Sequence, residues 1–567
     1  MRFFFLLPIL TFWLHAMPFT LDNISLEIEK SIDTRLKGKN KPLVKALYET
    51  TKYQLIWLGK EHTQRNSSLI KAFNTPLFNY KHKSFNQKVI KQLFFLIDNN
   101  ELSPQKLASV YARLDVILTN SFLRLVRFII QGDVNWQLVQ KKFKALKEEH
   151  DINCVWEMHP KQFHTLSSLK EILNTQDITP YLNSLIPMEK RYKSLIVLLN
   201  NYQQMDKFPK LKYYKKNLQK GDKSKRIKPI KKRLQISGDY PKEIKMTNTF
   251  DEILEKAIIN YQMRHLLKIT KQIDKKLTYY LNQPASKKIE AIITNLDKTK
   301  LYPKTFEKEH IEINIPDFNF RYYEDHLMIK KMGLVVGRID RPTPLFSNNL
   351  KYMVINPTWT IPDNLIKRDL IHVLHENPNY LQEQNIHAYQ RNKELNITYE
   401  MLAHYENNTT RVPYRFVQLS GANNALGRVK FMFPNKYAVY LHDTNNKSLL
   451  EQRYKLYSSG CMRIKNPFEL VTLLLEKAKK SYSSEEIQEI IATNKPYTIK
   501  LDQSIPVHII YFTVYEENGI AYFKNDVYLY DKMIKESSAS HIKDFFILPK
   551  KRIKFLPKKK KDIINQF

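Results

Sequence analysis

Cysteine is nearly absent from this chain of 567 residues, which has two, Cys154 and Cys461. At most one disulfide can form, so apolar cores must hold the fold together. Glycine is scarce, at 11 residues, and no Gly-rich phosphate-cradling loop occurs, so nucleotide chemistry has no support. Acidic residues are few: 56 Asp and Glu stand against 92 Lys and Arg, a formal net charge of +36. The apolar run from Phe3 to Trp13 falls short of the roughly 20 residues that span a bilayer. The stretch His372-Val373-Leu374-His375-Glu376 matches neither His-Glu-x-x-His nor His-x-x-Glu-His. It has no evident third ligand, and we read it as a surface or lid helix.

The apolar fraction is an ordinary 43%, and the length allows several domains with sizeable cores. The positive charge fits three sources: nucleic-acid binding, an anionic cell envelope, or a lysine-rich codon bias. The basic residues are spread along the chain with no nucleic-acid fold motif, so no nucleic-acid partner is expected. Met1-Arg2, the apolar run and Ala16 are the parts of a secretory signal. Leu14 stands where a small residue is preferred, so an uncleaved inner-membrane anchor is the alternative. Either way the protein is expected outside the inner membrane, in the periplasm. Cys154 is expected to be a buried structural thiol.

Periodicity divides the chain. Residues 1–19 are the signal or anchor. Residues 20–225 read as a helical scaffold, with apolar positions at helical spacing in Val110–Leu118 and Phe122–Ile130. Tyr214 to Arg226 reads as a polar linker. Residues 226–284 form a small helical module. From residue 285 to 548 a helix, Ala285 to Tyr302, precedes period-two β patterns such as Ile311-Glu312-Ile313-Asn314-Ile315. Residues 361–411 interrupt them with polar, helical sequence. Asn466 with Pro467 and Glu469 reads as a capped helix start. Val507 to Tyr515 and Ala521 to Tyr530 read as a hairpin, and 549–567 as a basic tail.

The chemistry concentrates in Tyr440-Leu441-His442-Asp443 and Ser458-Ser459-Gly460-Cys461-Met462-Arg463. A thiol is a weak nucleophile until an imidazole takes its proton. A small-residue turn leaves backbone N–H groups for an oxyanion. Residues i and i+2 of a strand share a face, so a strand over Tyr437–His442 points Tyr440 and His442 toward Cys461 and Asp443 away. A backbone carbonyl is then the expected orienter of His442, unless a turn at Asp443 brings its carboxylate round.

This ordered set resembles the L,D-transpeptidases with a YkuD-type catalytic domain, in the large Gram-negative periplasmic (YcbB-type) subfamily. Gly333–Arg338, Arg341-Pro342-Thr343-Pro344, Asn356–Thr360 and Leu426–Phe431 are similar to the segments that open that domain. Tyr261-Gln262-Met263-Arg264-His265-Leu266 is similar to the motif of a three-helix peptidoglycan-binding module, with Leu266 in place of its glycine. The resemblance implies a multidomain α+β fold: a helical scaffold, a degenerate peptidoglycan-binding-like module, and a mainly-β catalytic domain with a helical capping insertion over the cleft.

It also implies the site. Cys461 is the nucleophile and His442 its base. Gly460 and the Cys461 N–H hold the oxyanion, Tyr440 adds a hydroxyl, and Arg463 clamps a substrate carboxylate. Ser459 stands where many members carry a second histidine. Asn356, Trp359 and Arg428 are weaker candidates. The implied reaction joins two diaminopimelate residues through a Cys461 thioester with release of D-alanine, with no metal and no organic cofactor. Implied partners are peptidoglycan stem peptides, glycan synthases and D,D-carboxypeptidases. The rival reading is a non-catalytic cell-wall-binding scaffold with a relic site.

Overall fold

The structure, a computed structural model, describes residues 20–538 apart from 99–101, 164–165, 167–168, 171–174, 206–208, 266 and 407–408. The signal segment, the basic tail and Leu266 lie outside the described residues. The N-terminal half is helical. Its longest helix, Pro104–Gln131, buries Leu107, Tyr111, Leu114, Leu118, Phe122, Leu125 and Ile129 along one stripe, at the three- and four-residue spacing that faces a core. It ends at Gly132, whose φ is +69°. Asp115 is fully buried within it. Its carboxylate accepts N–H groups from Ile56, Trp57 and Leu58 at 2.9–3.1 Å and the Tyr48 hydroxyl at 2.5 Å. Burial pushes the Asp115 carboxyl up to about 6 against those bonds. The helix Ala285–Thr299 joins the two halves. Its Asp297 accepts from Tyr80 at 2.5 Å and pairs with Lys81 at 2.7 Å.

Helices Ile227–Ile236, Glu252–Arg264 and Lys275–Leu281 build the small module. Leu211 and Leu218 belong to its core with Ile230, Leu254, Ile258 and Leu277, and Leu218 bridges Ile273. The stretch from Tyr214 to Arg226, expected as a linker, therefore packs within the module. The motif residues serve the fold. Gln262 accepts from the N–H groups of Thr270 and Lys271 at 3.1 and 3.3 Å, and Arg264 forms a buried ion pair with Asp239. Lys271 takes the left-handed φ of +58° that a turn glycine would ordinarily supply. The Gln262 bonds offset the roughly 1–2 kcal/mol this costs an L-residue.

The C-terminal half is mainly β. Its strands are β1 (His310–Asn314), β2 (Asn319–Glu324), β3 (Leu327–Gly337), β4 (Ser347–Ile355), β5 (Trp359–Thr360), β6 (Ile386–Gln390), β7 (Lys393–Leu395), β8 (Arg415–Gln418), β9 (Val429–Met432), β10 (Leu441–His442), β11 (Leu456–Ser458), β12 (Met462–Ile464), β13 (Tyr497–Ile510), β14 (Val514–Glu517) and β15 (Ile520–Phe523). A nine-stranded sheet runs β11-β3-β12-β10-β9-β4-β13-β1-β2, and β2 pairs back onto β3, closing the sheet on itself. Ile311, Phe320, Leu334, Met353, Phe431, Leu441 and Met462 fill the interior, and the helix Pro467–Leu475 packs there through Leu470, Val471 and Leu474. No described helix is long and apolar enough to cross a membrane.

Several expectations shift here. The hairpin is β14–β15, turning at Asn518-Gly519 with φ of +54° and +78°. Upstream of it, β13 runs antiparallel to β4 and parallel to β1. Asn466 sits at φ +53° and does not cap its helix through its side chain; its amide instead donates to Glu469 at 2.8 Å. The insertion over 361–411 is not helical throughout. Short helices accompany a second sheet of order β5-β8-β6-β7, because Ile386-His387-Ala388 alternates and Arg391-Asn392 turns at φ of +45° and +66°.

Gly337 ends β3 where the chain folds back on itself. A Cβ there would lie 2.3 Å from the Arg341 carbonyl oxygen and 2.7 Å from Thr343 N. Gly337→Ala should destabilise the protein by about 1–3 kcal/mol, seen as a lower urea midpoint at unchanged slope. A midpoint equal to the wild type would show that this close approach carries no such constraint.

Candidate active site

Two short strands bring the motifs together. β10 lies parallel to β12 with Leu441 opposite Met462 and His442 opposite Arg463. Leu441 and Met462 are wholly buried in the interior. Alternation then turns Tyr440, His442, Cys461 and Arg463 to the other face. The Tyr440 and His442 rings are 5.7 Å apart. The regular strand is shorter than expected. Tyr437 to Tyr440 is irregular, with Ala438 at φ +53°. The alternation survives because Met462 N–H still bonds the Tyr440 carbonyl at 3.1 Å.

His442 is oriented by a backbone carbonyl. Its Nδ1 lies 2.5 Å from the Asp443 carbonyl oxygen. A carbonyl only accepts, so Nδ1 carries the proton and Nε2 keeps the lone pair. The Asp443 carboxylate turns elsewhere and accepts Arg428 N–H at 2.9 Å. The turn before it must be glycine, since a Cβ on Gly427 would lie 2.3 Å from Asp443 Oδ2.

The cysteine turn is clasped from beneath. Thr343 Oγ1 donates to the Gly460 carbonyl at 2.8 Å and accepts Gly337 N–H at 2.9 Å. The Tyr528 hydroxyl donates to the Gly337 carbonyl at 2.7 Å. Ser458 Oγ donates to the Cys461 carbonyl at 2.5 Å and accepts Gly460 N–H at 3.3 Å. Gly460 has a φ of +118°, a conformation side chains resist. The Cys461 thiol faces the Ala438 carbonyl at 3.8 Å. Ser459 is exposed and accepts Arg341 Nη1 at 3.0 Å. Arg341 in turn grips Asp369 of the insertion with two nitrogens, one at 2.7 Å.

Cys461 keeps part of its surface open to solvent, while protein packs closely round the sulfur. That burial pushes the thiol up to about 11, against the Tyr440 backbone and the Arg463 charge. His442 is pulled down to about 3, first by burial and then by Arg463. Both groups therefore rest neutral at pH 7, and no thiolate–imidazolium pair stands preformed. Arg463 is itself partly buried, with Nε lacking a partner. Burial lowers it, and Cys461 is the group that favours its charge.

Sequence reasoning passed over three contributors. Lys430 of β9 lies opposite His442, with Nζ 5.8 Å from the Tyr440 ring. Burial alone lowers it, and no carboxylate pairs with it among the described residues. The strand pairing that puts it there has no local signal. Thr343 and Arg341 belong to Arg341-Pro342-Thr343-Pro344, but their bonds to the Cys461 turn span 117 and 118 residues. Trp359 stands near the Tyr440 hydroxyl and eases the upward shift that burial imposes on it. Asn356 and Arg428 are structural: Asn356 is fully buried, donates to the Ile490 and Ile491 carbonyls at 2.9 and 3.1 Å, and accepts Arg428 Nη1 at 3.3 Å. Cys154 is a free, half-buried thiol.

Residues 308–482 match the family model of the YkuD L,D-transpeptidase catalytic domain, and residues 42–199 match that of a scaffold domain. The chain is thus similar, over residues 308–482, to the catalytic domain of the YkuD-type L,D-transpeptidases. It is also 32% identical over 224 residues to a Haemophilus influenzae protein assigned as an L,D-transpeptidase. That match covers 40% of this chain and 45% of the relative, so the chain spans under half of that protein's length. L,D-transpeptidases of Xylanimonas cellulosilytica and Stackebrandtia nassauensis share 10% and 12% identity with it. Each aligns to 53% of this chain, covering 100% and 97% of its own, at TM-scores of 0.18 and 0.19.

Two outcomes follow from the neutral pair. Alkylation of Cys461 by iodoacetamide, mapped by peptide mass, should rise with pH toward an apparent pKa well above the ordinary 8.5; a midpoint below 8 would sink the assignment. His442 has a depressed folded pKa, so its stabilisation is present above pH 6.5 and is lost as pH falls toward 3. It should contribute a slope of up to about 1.4 kcal/mol per pH unit in that window. Urea midpoints of His442→Gln should fall less steeply than wild type between pH 6.5 and 4.

Proposed function

We propose that the protein is a peptidoglycan L,D-transpeptidase in which Cys461 is the nucleophile and His442 the base. The observation that carries this reading is the shared face of Tyr440, His442, Cys461 and Arg463 across β10 and β12, within the residues 308–482 that match that family's catalytic domain. The helical scaffold match and the insertion beside the cleft favour the large periplasmic subfamily. The basic start and apolar run at the N-terminus favour an exported protein. Peptidoglycan stem peptides are the substrates, with glycan synthases and D,D-carboxypeptidases as working partners.

The chemistry follows from the neutral resting pair. Cys461 attacks the carbonyl of a diaminopimelate residue while His442 Nε2 takes the thiol proton. Gly460 N–H is engaged by Ser458, so the Cys461 N–H and the Tyr440 hydroxyl receive the oxyanion. Collapse of the adduct breaks the amide, the imidazolium protonates the departing D-alanine amine, and a thioester remains. The side-chain amine of a second diaminopimelate attacks it, passes a proton to His442 and restores the thiol.

Arg463 has a second effect in this scheme. Its charge is one cause of the low basicity of His442. A bound carboxylate offsets that charge, so the base gains strength when donor substrate arrives. Arg463→Met should raise KM for the donor about 10- to 100-fold, the loss expected for a partly buried charged hydrogen bond. It should also shift the acid limb of kcat/KM upward in pH. An unchanged KM would remove Arg463 from the donor site.

Muropeptide analysis tests the whole proposal. Cells expressing wild-type protein should gain cross-links between two diaminopimelate residues, and cells expressing Cys461→Ala should gain none. Cross-links that persist with Cys461→Ala would leave the non-catalytic scaffold reading standing.

A further inference from the structure

We propose that the small three-helix module docks on an anionic phospholipid surface through its lysine-rich face. From Lys210 to Arg233 half of the positions are Lys or Arg, and the one acid is Asp222. The fold uses a few of these cations. Lys231 is buried on Asp251, Arg233 donates to the Met205 and Pro209 carbonyls, and Arg226 stacks 3.8 Å over Tyr214. Lys212, Lys215, Lys216, Lys225 and Lys228 remain exposed. Lys225 and Lys228 stand at the rim of a cavity of about 290 Å³ between the Pro209–Leu211 segment and the helix Ile227–Ile236. Its apolar lining comes from Pro209, Leu211 and Pro229. In the chain that continues from Leu211, Tyr213 and Tyr214 are 50% and 44% exposed.

That combination selects the ligand. A polyhydroxylated glycan needs convergent hydrogen-bond donors and acceptors, and among the lining residues Asn248 is the one neutral polar side chain. Phosphate headgroups over acyl chains ask for lysines round an apolar recess, with amphipathic rings at the boundary. Each lysine near an anionic leaflet contributes about 1 kcal/mol, or about fivefold in binding. The motif residues Gln262 and Arg264 are engaged in internal bonds, so the lipid face leaves them undisturbed. Such docking would hold the module against the bilayer independently of residues 1–19.

Co-sedimentation of the full chain with vesicles tests this. Vesicles of phosphatidylcholine alone are compared with vesicles carrying about 30% phosphatidylglycerol, at low and raised salt. The run Phe3 to Trp13 is common to every arm, so the readout is the gain on adding phosphatidylglycerol. Wild type should show that gain and lose it with salt. Lys225→Gln/Lys228→Gln should reduce it about 10- to 30-fold, by two lysines at about fivefold each, and Tyr213→Ser should reduce it severalfold. Thermal midpoints of both variants should match wild type. An unchanged gain in the double variant overturns the proposal, as does displacement by millimolar inorganic phosphate at constant ionic strength. So does a double variant that binds vesicles normally but loses sacculi or DNA.

Discussion

A slip of one residue between β10 and β12 would send Leu441 and Met462 into solvent and drive His442 or Cys461 into the interior. Strand periodicity makes any such shift an exchange of faces. What prevents it is burial: Leu441, Met462, Phe431 and Ile464 have no exposed surface. At about 25 cal/mol per Å², each of these side chains resists exposure by about 1.5–3 kcal/mol. The geometry around the thiol is thus held from the opposite side of the sheet, by residues that take no part in chemistry. Everything else at the site depends on that register, including the pairing of Arg463 and Lys430 with His442.

A second layer of constraint comes from far along the chain. Thr343, Gly337 and Tyr528 hold the cysteine turn from below. Arg341 ties its outer side to Asp369, next to Arg368, which pairs with Asp151 in the helical half. The insertion is thereby fastened to both the cysteine turn and the helical half. Burial keeps the thiol uncharged against the pull of Arg463, while burial and that same guanidinium together keep the imidazole uncharged. In the proposed reaction the base gains strength when a substrate carboxylate offsets that guanidinium.

The fold was legible where periodicity was strong. The stripe of Pro104–Gln131 and the alternation of β1 are readable because each buries one face of a regular element. The insertion was misread as helical because β6 and β7 are short and joined by Arg391-Asn392, without a glycine to mark the turn. The Tyr214–Arg226 stretch was misread as a linker because its lysines conceal Leu218, one buried residue among exposed neighbours. At Lys271 no glycine supplies the left-handed turn, yet Gln262 holds a lysine in that conformation. In each case a tertiary contact outweighed local propensity.

The sequence alone determined which residues are candidates for chemistry. With two cysteines and one set in Ser-Ser-Gly-Cys after an upstream histidine, Cys461 and His442 stand out as a candidate nucleophile and base without coordinates, because residue type and order mark them. Only the tertiary structure decided their charge, their tautomer and their neighbours. Those depend on burial, on which carbonyl meets Nδ1, and on which cations the strand order sets across from the imidazole. Low-dielectric packing and long-range pairing have no local signature, so Lys430, Thr343 and the neutral resting state of the site could be seen only once the sheet had closed.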